Sequence, residues 1–129
     1  MTFPQTIHFT GIGNPLIAAL AKHFRLMGHE VSGSDIAAGQ DLTDQLRQAG
    51  IPVHQGWIPE KIKAGLIITG PGITTDNPEV QHATRAGLPF IYYPQAIFEF
   101  TKDRQRIVIV GSRGRTNLTA LLIHSLTLL

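Results

Sequence analysis

The feature that most constrains the fold is a repeated change of period along the chain. Short β-branched and aromatic runs, which read as strands, alternate with segments whose apolar residues recur at helical spacing. The strand-like runs are "TIHFT" (6–10), "HEVSGSD" (29–35), "GLIITG" (65–70), "LPFIYY" (88–93) and "RIVIV" (106–110), with "IPVH" (51–54) adding a short one. Between them, residues 15–27 place Leu16, Ala19, Leu20, Phe24 and Met27 on one helical face, with Pro15 at the first helical position and Gly28 just past the end. Residues 41–49 carry Leu42 and Leu46 and stop at Gly50; residues 77–86 have Asn77 as N-cap, Pro78 after it and Gly87 as terminator. A short helix is expected from Pro94 to Phe100, and a last one from about Arg115, with Leu118, Leu121, Leu122 and Leu126 along one stripe. Strand–helix alternation of this kind predicts an α/β fold: a Rossmann-like, mostly parallel sheet with helices on both faces.

The 129 residues suffice for one domain with a buried core. "TKDRQR" (101–106) reads as a linker, and the strand–loop–helix after it is too small to bury a core of its own. No apolar run approaches the ~18 residues that a spanning helix needs, and "MTFPQTIHFTG" lacks the regions of a signal peptide. The absence of cysteine excludes disulfides, thiol catalysis and thiolate metal sites, and suits a reducing, cytoplasmic setting. Net charge is only +2; Lys102, Arg104, Arg106, Arg113 and Arg115 crowd into fourteen positions, which suits a phosphate partner, while Lys102 to Arg106 read equally as a solvated linker, and neither nucleic acid nor membrane is an expected partner. Histidines 8, 23, 29, 54, 82 and 124 are scattered without metal-ligand spacing. Asp41, Asp44, Glu60 and Glu79 read as helix-start or surface carboxylates, and Trp57 as packing.

In an open parallel sheet, ligands bind beyond the carboxyl ends of the strands, so the loops there carry the candidate chemistry. After the first strand comes "GIGN" (11–14), whose small residues and following helix N-terminus suit a diphosphate. Asp35, ending the second strand, is placed to accept hydrogen bonds from ribose hydroxyls. The dinucleotide fingerprint is incomplete, because Leu16 stands where its third glycine belongs. "TGPGITTDNPEV" (69–80) supplies a third polar loop, with Thr69, Thr74, Thr75 and Asn77 as sugar contacts. Finally, "VGSRGRTN" (110–117) keeps Gly111, Gly114 and Thr116 of a phosphate loop but has Arg115 in the lysine position. Arginine's planar fork is no simple replacement for a compact ammonium there.

Taken together, "IHFTGIG", "GHEVSGSD", "AGLIITGPGITTDNPEV" and "GLPFIYYPQAIFEF" resemble the N-terminal domain of the Mur ligase family, in the branch that joins UDP-N-acetylmuramic acid to L-alanine or to a murein peptide. The resemblance implies that residues 1–100 form a UDP-N-acetylmuramate-binding domain, 101–106 a linker, and 107–129 the start of a truncated central ATPase domain. Gly11, Ile12, Gly13 and Asn14 would then surround the diphosphate, Ser34 and Asp35 face the uridine end, and Thr69, Gly70, Pro71, Gly72 and Asn77 line the ribose and sugar. It further implies that Gly111, Ser112, Gly114, Arg115 and Thr116 hold ATP, with Thr116 on Mg²⁺. On this reading the parent is an ATP-dependent ligase of peptidoglycan synthesis or recycling acting through an acyl phosphate, while this piece holds no catalytic residue and is inactive alone. Two alternatives stand beside it: a non-catalytic nucleotide-sugar-binding module, to which Arg115 points, and an NAD-binding Rossmann oxidoreductase domain, to which Gly11, Gly13 and Asp35 point.

Overall fold

Residues 1–129 are all described by the computed structural model. Five parallel strands, β1 (Thr6–Thr10), β2 (Glu30–Asp35), β3 (Val53–Gln55), β4 (Leu66–Thr69) and β5 (Phe90–Tyr92), form one sheet in the order β3-β2-β1-β4-β5. After β3 the chain crosses to the other side of β1, so the topological switch point lies between β1 and β4. The register pairs Thr10 with Ser34 on one side and with Thr69 on the other, which levels the carboxyl ends of the three central strands.

The helices are α1 (Pro15–Leu26), α2 (Gln40–Gln48), α3 (Pro78–Ala86), α4 (Tyr93–Thr101) and α5 (Arg115–Thr127), with a single 3₁₀ turn at Pro59–Lys61. Local chemistry sets their ends. Asn14 caps α1 by accepting from the Leu16 N–H at 2.9 Å, and Asn77 caps α3 by accepting from the Glu79 N–H at 2.9 Å. Gly87, at φ 68°, closes α3 in the left-handed region that a side chain disfavours.

One face of the sheet is apolar. Ile7, Phe9, Val31, Leu66, Ile68 and Ile91 pack against Ile17, Ala18, Ala21 and Phe24 of α1, Leu46 of α2 and Ala96 of α4. Each fully buried Ile or Phe there contributes ~1.5–3 kcal/mol. The face of α1 therefore differs from the one read in the sequence: Leu16, Ala19 and Met27 are exposed, and Ile17, Ala18 and Ala21 are buried instead. The small alanines let α1 lie close to the sheet, which rotates the bulky Leu16 outward. The opposite face, covered by α3 and the 3₁₀ turn, joins Ile62, Ile67 and Ala83 to a buried polar group.

The last expected strand is absent. Residues 106–110 have no regular structure, with Ile107, Val108 and Val110 exposed. β-propensity alone makes no strand: a ladder needs a neighbour, and residues 106–110 pair with none of the five strands. The leucine stripe of α5 likewise finds no partner, since Leu118, Leu121 and Leu126 are exposed and Leu122 is half-buried.

Candidate functional site

Three loops meet beyond the carboxyl ends of β1, β2 and β4. The Gly11 and Ile12 N–H groups donate to the Ser34 carbonyl at 2.8 and 3.1 Å, and the Gly70 N–H donates to the Thr10 carbonyl at 2.9 Å. Side chains are excluded where the loops touch. A Cβ on Gly13 would fall 2.8 Å from Asp35 Oδ2 and 2.9 Å from Ala38 Cα, while one on Gly70 would lie 3.1 Å from the Gly11 carbonyl oxygen. Gly11 itself sits at φ 83°, a conformation that costs glycine little and other residues much. The glycines thus bring backbone against backbone at the switch point, where a ligand of an open α/β sheet is expected.

The N–H donors of the first turn are taken up within the turn and by its neighbours. Gly11 and Ile12 give their N–H groups to Ser34, Gly13 to Asp35 Oδ2 at 2.9 Å, Asn14 to the Gly11 carbonyl at 3.4 Å and Leu16 to Asn14 Oδ1; Pro15 has none. The turn satisfies itself as far as Leu16, and the next N–H, of Ile17 in the first turn of α1, has no partner. What the turn presents outward is the Asn14 side-chain amide and the positive end of α1. Asp35 also accepts from the Ala37 N–H at 2.8 Å, so both its oxygens brace loops, with lone pairs left over for a hydroxyl.

The remaining sugar-side residues divide by exposure. Pro71, Gly72, Thr74 and Thr75 are exposed, and Asn77 is 8% exposed with its oxygen committed to capping. Ser34 and Thr69 are fully buried and their hydroxyls turn inward, so neither side chain lies on the ligand edge. The inward turn has a cause in register: on β1 and β2, residues 8, 10, 32 and 34 share the sheet face that α3 covers.

That face holds a buried polar network centred on Glu79, which is no surface carboxylate. Glu79 is fully buried and accepts from Thr10 Oγ1 at 2.6 Å, Ser34 Oγ at 2.7 Å and the Ile58 N–H at 2.8 Å. Because Ser34 spends its only hydroxyl proton on Glu79, its 3.2 Å contact with His8 requires His8 Nε2–H to donate. In the neutral ring, Nδ1 then accepts from Ser32 Oγ at 2.8 Å. Burial pushes the Glu79 pKa up, but His8 Nε2, 3.5 Å from Oε2, and the hydrogen bonds from Ile58, Thr10 and Ser34 outweigh it and hold the group at about 2. The sequence did carry a signal for this. A histidine and a threonine alternating on a central strand, beside two serines on the next, form a polar row that burial obliges something to satisfy.

The expected nucleotide loop is placed differently. Gly111, Ser112, Gly114, Arg115 and Thr116 are all exposed, with no strand leading into them. The Arg115 guanidinium donates to the Gly111 carbonyl, so its charge folds back onto its own loop. A Cβ on Gly114 would meet nothing within 4 Å, so no close backbone cradle is formed there. No group of three or more His, Asp or Glu side chains suits a metal ion, and Thr116 is exposed near the start of α5. A cleft of about 290 Å³ lies at the opposite end of the strands, among Thr6, Arg25, Glu30, Pro52 and Lys63, away from these loops. No helix is long and apolar enough to cross a membrane.

Residues 6–105 match the model of the Mur ligase family, catalytic domain. The chain is 36% identical over 121 residues to a UDP-N-acetylmuramate–L-alanine ligase of Laribacter hongkongensis, covering 93% of this chain and 26% of that protein. With the enzyme of the same name from Gluconobacter oxydans it shares 36% identity, over 90% of this chain and 24% of the relative. Among solved structures, a UDP-N-acetylmuramate–alanine ligase of Thermotoga maritima superposes with a TM-score of 0.85 at 30% identity, over 95% of this chain and 29% of that one. A murein peptide ligase of Psychrobacter arcticus gives a TM-score of 0.85 at 27% identity, over 93% of this chain and 26% of that one. The chain thus spans about a quarter of the length of the relatives it matches.

Proposed function

The chain belongs to the Mur ligase family, and from that premise we propose that it binds UDP-N-acetylmuramic acid as the substrate-binding part of a cytoplasmic, ATP-dependent ligase of peptidoglycan synthesis or recycling. One observation carries the reading: the turns after β1, β2 and β4 converge at the switch point, backbone against backbone. The substrate-binding domain is read as residues 1–100 and the linker as 101–106; from Lys102 onward only Ile109 and Leu122 are even half-buried.

On this reading the diphosphate lies against the start of α1, where the helix dipole and the Asn14 amide favour negative charge. Asp35 receives a ribose hydroxyl on its free lone pairs while it braces Gly13. The exposed residues Pro71, Gly72, Thr74 and Thr75 follow the sugar. In the whole ligase, a carboxylate oxygen of the muramic acid attacks the γ-phosphorus of ATP and ADP leaves. The amine of L-alanine, or of a peptide, then attacks the acyl phosphate, giving an amide and inorganic phosphate with loss of a proton. This chain's contribution is to fix the carboxylate's position, since orientation supplies a large share of such a barrier. No step is assigned to residues 111–116, whose loop forms no cradle here.

Calorimetric titration of the chain with UDP-N-acetylmuramate, UDP and NAD tests the proposal. Saturable binding of the nucleotide sugar, with UDP weaker, is expected. Saturable NAD binding with silence toward UDP would overturn it in favour of a dinucleotide-binding domain.

A further inference from the structure

We infer that Glu79 is a positioning residue: its one buried carboxylate pins the ends of β1 and β2, the turn after β3 and the start of α3 into a single arrangement of the ligand edge. The pinning stands on geometry alone; its consequence for a nucleotide sugar rests on the function proposed above.

The bonds come from segments far apart in the chain. Thr10 and Ser34 both donate to Oε2, at 2.6 and 2.7 Å, and the Ile58 N–H donates to Oε1 at 2.8 Å. Thr10 directly precedes Gly11, and the carbonyl of Ser34 is the acceptor for the Gly11 and Ile12 N–H groups. A shift of either hydroxyl residue therefore carries the first turn with it. Ile58 opens the 3₁₀ turn at Pro59–Lys61, a segment that the glycine contacts of the other loops do not reach. Being fully buried, Glu79 touches no ligand, and acts only through the loops it holds.

The chemistry of the group matters as much as its reach. An ionised carboxylate only accepts, so it serves donors from several directions at once, whereas one end of an amide must donate. Two hydroxyls on one oxygen and a backbone N–H on the other are thus matched to glutamate, whereas in glutamine one side would turn an NH₂ toward a donor. Asn77 caps α3 independently, so the helix keeps its start when Glu79 is changed.

The test compares amide ¹H–¹⁵N NMR spectra of the 129-residue chain and its Glu79→Gln variant, with UDP-N-acetylmuramate titrated into both. The expected result is moved resonances at Gly11, Ile12, Gly13 and Ile58, none of them neighbours of position 79 in sequence, with α5 unmoved. Affinity should fall by about tenfold or more, as for the loss of a charged hydrogen bond. Unmoved loop amides in a folded variant overturn the inference, and so does unchanged affinity in a variant whose loops have moved. If Glu79→Gln fails to fold, Thr10→Val removes one donor at nearly constant shape, and displacement at Gly13 and Ile58 decides the matter in the same way. Silence of the wild-type chain toward the nucleotide sugar would bring down the proposed ligand; the amide shifts would still decide the pinning.

Discussion

The Gly13 N–H donates to Asp35 Oδ2 at 2.9 Å, and the same carboxylate leaves no room for a Cβ on Gly13. Two of the three residues that the dinucleotide pattern singles out, Gly13 and Asp35, are therefore partners of one another before any ligand arrives. Asp35→Ala removes both the brace and an acceptor for a ribose hydroxyl. It should weaken UDP-N-acetylmuramate by about 1–3 kcal/mol in a calorimetric titration. Affinity equal to wild type would take Asp35 out of the site.

Gly33 faces Ile12 across β2. A Cβ there would lie 2.4 Å from Ile12 Cδ1 and 2.8 Å from Ile12 Cβ, inside a side chain that is fully buried. Gly33→Ala should destabilise the chain by ~1–3 kcal/mol through overpacking. A urea midpoint unchanged from wild type would show that Ile12 moves aside freely.

Stability should fall in acid through Glu79. Its folded pKa, about 2, lies below the ordinary 4.5, so its ionised form favours the folded state above about pH 4.5, and that stabilisation is lost as pH falls toward 2. At ~1.4 kcal/mol per pKa unit the loss is about 3 kcal/mol. Urea unfolding as a function of pH measures it. Glu79→Gln should flatten that part of the profile; an identical acid slope in the variant would assign the loss to other carboxylates.

The C-terminal helix should contribute almost nothing to the stability of the sheet. Since α5 buries no residue, Leu121→Glu should change the unfolding free energy by less than ~0.5 kcal/mol. A larger loss would mean that α5 packs in solution.

Much of this fold was legible because local chemistry and global pattern agree. β1 falls on residues 6–10 as its β-branched run predicts, and α3 starts and stops at Asn77 and Gly87, where a capping side chain and a left-handed glycine are needed. The failures share one physical cause, which is that burial depends on neighbours. "RIVIV" has every intrinsic quality of a strand and no ladder to join. Periodicity puts Leu16 on the core face of α1, yet Ala18 and Ala21 take the close contact and leave it outside. Glu79, at the start of a well-capped helix, looked like a solvated carboxylate; only the pairing of β1 with β2 assembles the hydroxyl row that draws it in. In the site itself, the glycines marked where backbones meet, but their spacing did not reveal that the turn's own N–H groups were already taken.

A turn that consumes its own donors is rigid in advance of its guest. A molecule landing on it encounters a finished surface, and association does not carry the entropic penalty of ordering a floppy segment. Selectivity on such a surface comes from contour and from a few outward dipoles, so poorly shaped anions gain no compensating adjustment of the backbone beneath them.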